Sequence, residues 1–416
     1  MRKILPLLGI CTLLISGNTT AQTSDRFSYA ITDIQPGGAN WSFLRKINLQ
    51  TGEYSPVLLQ GNDMTFTARE AGSKKQLSQP LHDPRFGNLV NAPFVNGVAA
   101  MAYDKKNNRL WYTPMLFDQL RYIDLKTMQV YYVTGNGFTG NPVRNADQGN
   151  IVTRMAVAAD GYVYALTNDA TQFIRFGTGK KNQPEDMGGL VDDPANGGIS
   201  IHNACTSFGG DMVAGEDGKL YIFSARNYVF RVDPATKVAR LLGQISGLPE
   251  GYSVNGAAVE NENTILVSSA VKNEYYLVDA RNWSASPYRI SGTAWTSSDL
   301  ANSNLLSLEP KNTTAPAAFS ERQAIPNSGD GRMGIFPNPV THNQFVIQFS
   351  KMLPGSYTLF VTDVTGRQIL QQQFSMSGEN HVQAVKMDPS ASRGIYLVSV
   401  KDAASRMVYS SKLVLQ

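Results

Sequence analysis

Short apolar segments alternate with tight polar turns along most of the chain, and the alternation repeats. One recurring mark is a turn followed by an aromatic-rich strand: Asp160-Gly161-Tyr162-Val163-Tyr164-Ala165 and Asp217-Gly218-Lys219-Leu220-Tyr221-Ile222. Looser copies are Asn107-Asn108-Arg109-Leu110-Trp111-Tyr112 and Glu262-Asn263-Thr264-Ile265-Leu266-Val267. Asp-Gly and Asn-rich pairs supply the positive φ angles that two-residue hairpins require. A run of small residues precedes each turn, at 98–102, 155–159, 212–215 and 257–260. A second mark follows: a strand ending in Asp or Asn, a turn, and another strand. It is seen at 44–52, 120–127 and 229–236, and in degenerate form at 173–178 and 276–281. Each unit reads as four antiparallel strands, small and inner first. Units of this kind, ~40–50 residues long, are blades of a β-propeller.

Five units are readable, so five or six blades are expected over residues 22–310. The first unit lacks an inner strand: Tyr29-Ala30-Ile31-Thr32 matches Tyr164-Ala165-Leu166-Thr167, the second strand of its blade. Ser298-Asp299-Leu300-Ala301 is an inner strand without a blade of its own, comparable to Gly210-Asp211-Met212-Val213. The late strand should complete the early blade, closing the ring and removing two exposed sheet edges. The blade-to-blade connections at 61–96, 135–152 and 179–207 are long and should crowd one face of the disc. Long loops in compact domains are usually functional or disordered, so a ligand is expected there.

Residues 311–333 are small, polar and turn-rich and read as a linker. Residues 334–416 return to alternation, with strands expected at 344–349, 356–363, 368–374, 381–386, 394–401 and 407–415. Two apolar faces with short turns fit a small β-sandwich of about seven strands. The fold class is therefore all-β: a propeller followed by a C-terminal β-sandwich.

The start of the chain departs from this pattern. Arg2-Lys3, the apolar run 4–15 and Thr19-Thr20-Ala21 form a signal peptide over residues 1–21. No later segment approaches the ~20 apolar residues of a spanning helix, so no transmembrane segment remains after its removal. A net charge of +4 without a clustered basic surface argues against nucleic acid. Of the two cysteines, Cys11 lies in the leader. Cys205 is then alone, without a disulfide partner, and is expected as a small buried apolar residue.

Candidate chemistry in the propeller is thin. Asn96 and Asn255 each stand just before an inner strand, Arg154 holds a similar place, and His202-Asn203 precedes the next. These five are the candidate ligand residues; the competing readings are that Asn96-Gly97 and Asn255-Gly256 only turn the chain into the inner strand and that His202 is a hydrogen-bonded loop residue. Asp192 and Asp193, in a Gly/Pro/Asn-rich loop, are weak candidates for calcium, set against a solvated turn. No catalytic residue is assigned. There is no Gly-x-Ser-x-Gly elbow, phosphate-binding glycine loop or His-Glu-x-x-His.

The final module carries a recognisable series of motifs: Phe336-Pro337-Asn338-Pro339, Gly355-Ser356-Tyr357-Thr358-Leu359, Val361 to Arg367 with Asp363 and Gly366, Gly394-Ile395-Tyr396-Leu397-Val398, and Lys412-Leu413-Val414. In this order it resembles the type A C-terminal sorting domain of the type IX secretion system of Bacteroidetes. The resemblance implies passage through the periplasm and across the outer membrane, with the secretion machinery and its C-terminal signal peptidase as partners. The cargo would be released or held at the cell surface. The propeller vaguely resembles lactonase-like propellers, but their calcium site cannot be placed on it. The leading expectation is a secreted or surface binding protein for a glycan, peptide or host macromolecule, without a cofactor. The alternatives are a calcium-dependent hydrolase or lyase, and a structural envelope component.

Overall fold

The structure is a computed structural model that describes residues 24–77, 81–133, 137–140, 148–179, 182–308, 333–340, 343–349, 352–363, 367–377, 380–404 and 406–416. The signal peptide, nearly all of the linker and Gly366 lie outside the described residues. No helix among the described residues is long and apolar enough to cross a membrane.

Among the described residues five sheets, antiparallel in their first four strands, stand around one axis and complete a ring of five blades. Their inner strands are Asp299–Ala301, Val98–Asp104, Val152–Val157, Asp211–Ala214 and Gly256–Asn261, numbered here as blades 1 to 5. Each packs against two neighbours, the fifth against the first. Blade 1 is closed as the sequence requires: Tyr29 pairs with Ala301, Ala30 with Leu300 and Ile31 with Asp299.

Small inner residues have a geometric cause. Five strands converge on one axis, and Ala102, Ala156, Ala214, Ala258 and Ala301 contribute one alanine from each. Only about 20 Å³ of open volume remains there. The recurring turns also have local causes. Asp160 and Asp217 accept from the hydroxyls of Tyr164 and Tyr221 at 2.8 and 2.9 Å. The residue at or just after the end of the third strand caps the next turn: Asn48, Asp124, Asp233 and Asp279 each accept from a backbone N–H two residues on.

The long connections do more than crowd one face. Arg69–Glu70 adds a parallel fifth strand to the outer edge of blade 2, and Val191–Asp192 does the same for blade 4. The chain runs to the rim and back before it enters the next inner strand. Such outer cover also hides sheet edges.

Among its described residues the C-terminal module has seven strands in two sheets: Met333–Phe336, Gln344–Phe349 and His381–Lys386 in one, and Gly355–Asp363, Gln368–Met376, Gly394–Asp402 and Met407–Leu415 in the other. Phe345, Ile347, Leu359, Val361, Val398 and Leu413 meet between them.

Replacing Ala258, which is 1% exposed, by leucine should overfill the ring. The expected cost is roughly 1–3 kcal/mol. It is read as a lower urea midpoint with an unchanged slope of the unfolding transition.

Candidate functional site

A buried hydroxyl residue stands at or next to the end of each second strand: Thr32, Thr113, Thr167, Ser224 and Ser268. The residue just before it pairs with the inner strand at Asp299, Met101, Arg154, Asp211 and Ala257 respectively. These five positions form one layer across the axis, and three are charged.

Inner strands are edge strands, so their N–H groups facing the axis need acceptors. The carboxylates supply them from blade to blade. Asp211 accepts from Met212 N at 2.7 Å and from Ala257 N at 2.6 Å. Asp299 accepts from Met101 N at 3.3 Å. Arg154 donates to the main-chain oxygens of Ser207 and Gly209. Arg154 Nε and Asp299 Oδ1 have no hydrogen-bond partner among the described residues.

Burial dominates the electrostatics. It pushes the Asp211 and Asp299 carboxyls well above the usual carboxylate range, and Asp299 is raised further by Asp211. Burial also pulls the Arg154 guanidinium down to about 10, against the pull of Asp211 and Asp169. Both Asp211 oxygens face backbone donors and suit the ionised form. The unpartnered oxygen of Asp299 is the better place for a proton.

Above this layer, on the loop-rich face, lies a cavity of about 770 Å³. Its propeller side includes Asn168, Asp169, His202, Phe208, Arg226 and Val271. Its other wall includes Phe336, Pro337, Phe345 and Val346 of the C-terminal module.

Of the expected ligand residues, only His202 lines this cavity. It is 2% exposed, and its two ring nitrogens lie 2.6 Å from Asp169 O and 3.1 Å from Leu190 O. Arg154 lies beneath the floor, bonded to Gly209, which lines the cavity. Asn203 caps a turn, accepting from Cys205 N at 2.9 Å, and Asn255 reaches across to a neighbouring loop, accepting from Ala270 N at 2.9 Å. Asn96 is half-buried, and its Oδ1 has no partner among the described residues.

Asp192 is not part of a solvated turn. It is buried in a rim strand and accepts from Ile201 N at 2.8 Å. Asp193 caps a short 3-10 helix at Ala195 N. Among the described residues no group of three or more His, Cys, Asp or Glu is placed to hold a metal ion. Cys205 is exposed rather than buried, because it sits on the turn that Asn203 caps.

Asp211 and Asp299 were in view in the sequence only as strand markers. The signal for them was an Asp at the same register of two inner strands.

In the module, the expected motif residues are brought together. Asn338 Nδ2 donates to Lys412 O at 2.7 Å, and its Oδ1 accepts from Val414 N at 2.9 Å. Both Phe336-Pro337 and Asn338-Pro339 are cis. Tyr357 and Tyr396 each donate to a carbonyl four residues back, and Asp363 and Asp402 each bind the arginine four residues on. Gly355 to Arg367 and Gly394 to Arg406 thus share one pattern of Gly, Tyr, Asp and Arg at equal spacing, unnoticed in the sequence.

Residues 334–416 match the family model described as the secretion system C-terminal sorting domain. No curated protein matches the chain. Among solved structures, a protein from Lactobacillus plantarum is similar at 12% identity and a TM-score of 0.37, over 88% of this chain and 100% of that one. Virginiamycin B lyase from Staphylococcus aureus is similar at 9% identity and 0.34, over 93% and 95%. PorZ of Porphyromonas gingivalis, described as an essential bacterial surface component of the type-IX secretion system, is similar at 11% and 0.27, over 93% and 51%. The chain thus spans about half the length of PorZ. None of these likenesses bears on what the chain binds. The module is a type IX sorting domain, and it marks the protein for export to the cell surface or beyond.

Asp299 and Asp211 should respond differently to neutralisation. A carboxyl raised by folding keeps a proton that the unfolded chain releases near pH 4. Its stabilising contribution is full below that pH and is lost as pH rises through the folded pKa. Asp299→Asn should remove this loss, so the variant gains on the wild type as pH rises, because the amide can accept from Met101 N. Asp211→Asn sets an amide donor against a backbone N–H and should cost about 1–3 kcal/mol. Thermal or urea unfolding from pH 4 to 8 measures both.

Proposed function

We propose that this chain is an exported binding protein whose propeller takes a glycan, peptide or host macromolecule at its loop-rich mouth. The observation that carries the reading is the 770 Å³ cavity there, with apolar and polar groups side by side. Pockets of this size suit small ligands or the anchoring part of a larger one. Phe208 and Val271 offer apolar surface, and the exposed Arg226 offers a cation with fixed donor geometry.

Binding is favoured over catalysis by how the titratable groups are used. His202 directs both ring nitrogens at main-chain oxygens, so neither is free to move a proton on a ligand. Asp169 accepts from Thr167, Thr171 and the Thr171 backbone. A general acid or base must reach the proton it transfers, and both His202 nitrogens and Asp169 Oδ1 are engaged with the protein itself.

Two experiments test the reading. Deletion of residues 334–416 should leave the protein in the periplasm; surface display of the truncation would refute sorting by this module. On glycan and peptide arrays, Arg226→Ala and Phe208→Ala should each weaken retention, by roughly tenfold for an anchoring side chain. Arg240→Ala, on an outer strand of blade 4, should leave it unchanged. Equal retention by all three would sink the mouth as the binding site.

A further inference from the structure

The strand Gln344–Phe349 is buried on both faces. Phe345, Ile347 and Phe349 belong to the core of the module. Side chains alternate along a strand, so Val346 and Gln348 point the other way. They are nevertheless only 4% and 7% exposed. The cover over them is the propeller. Gln348 Nε2 donates to Asp192 O at 2.9 Å. Val382, which pairs with Gln348 on the neighbouring strand, has its Cβ 2.8 Å from where a Cβ on Gly189 would stand. Only a residue without a side chain lets the two surfaces close at that point. Phe336 pairs with Val346 on the other side, and both line the mouth cavity. The outward face of the three-stranded sheet is therefore laid over the loops of the propeller that form the mouth.

We propose that the sorting module is a partial lid of the mouth: docked through Phe336, Val346, Gln348 and Val382, it covers one side of the ligand site and restricts access to it, and undocking or removal of the module opens that side. This rests on the reading of the mouth as a binding site. Its consequence is that the exported protein takes up ligand less readily for as long as it carries its sorting module in place.

The test uses the full-length chain in a Cys205→Ser background. In Val382→Cys, the new thiol should react with a maleimide at least about tenfold more slowly than that of Ala384→Cys, whose position on the same strand is exposed. Adding Val346→Lys places a charge on the docked face but outside the core of the module, and should abolish that protection. Gln348→Ala, which removes only the cross-contact hydrogen bond, should weaken it without threatening the fold. Equal reactivity at the two thiol positions in the otherwise unaltered chain overturns the proposal. On the same glycan and peptide arrays, Val346→Lys should retain about tenfold more ligand than the unaltered chain. Equal, measurable retention by both overturns the lid. Retention by neither, with the thiol at 382 protected, supports docking and sinks the binding reading instead.

Discussion

The propeller depends on one long-range pairing, between Phe27–Thr32 and Asp299–Ala301. The two segments lie at opposite ends of the domain in sequence, and the ring is not a ring until they meet. Before that, the axial layer cannot form, because Asp299 reaches the amide of Met101 only when its strand lies beside blade 2. A clasp nearby holds the same ends: Asp25 accepts from Lys105 Nζ and from Ser303 N and Oγ at 2.7–2.9 Å. Such closure delays the reward for ordering the chain until distant parts are joined. It leaves no inner strand without neighbours.

Closure also explains the charged layer. A ring of five inner strands turns five rows of backbone donors toward an axis with room for little beyond alanine. Asp211 and Asp299 answer those donors with carboxyl oxygens, and Arg154 crosses to the carbonyls of Ser207 and Gly209. The layer fastens blade to blade at the depth where the mouth begins. Its ionisable groups are engaged with main-chain partners inside the propeller.

The repeat was legible because local chemistry writes it. Asp-Gly turns, strand-ending Asp caps and small inner residues are short-range signals, and the circular closure followed from one blade lacking a strand. The C-terminal strands were legible for the same reason, except Met333–Phe336, which abuts the linker. What the sequence did not disclose depends on contacts between segments far apart. The rim strands Arg69–Glu70 and Val191–Asp192 are two residues each, too short for a pattern. Arg154 was singled out for its place near the mouth, yet its partners are carbonyls reached only after folding. His202 stood out for its place before an inner strand and lies in the cavity wall, with its nitrogens turned toward main-chain oxygens. Phe208, Arg226 and Val271 were missed because nothing local distinguishes a loop residue at a mouth from one on any surface.

The strand Gln344–Phe349 shows where a pattern carried more than was taken from it. Gln-Phe-Val-Ile-Gln-Phe is not the alternation of a sheet with one face in water. Three consecutive apolar residues suit a strand covered on both sides, and a sandwich of two sheets covers only one. The second cover had to come from elsewhere. Val382 is half-buried beside Gln348 across the sheet, and Gly189 on the propeller lacks the one atom that would hold Val382 away. A detachable address needs none of these features. They describe a surface shaped to rest on its cargo, so the module's place over the mouth follows from the same residues that make its first sheet.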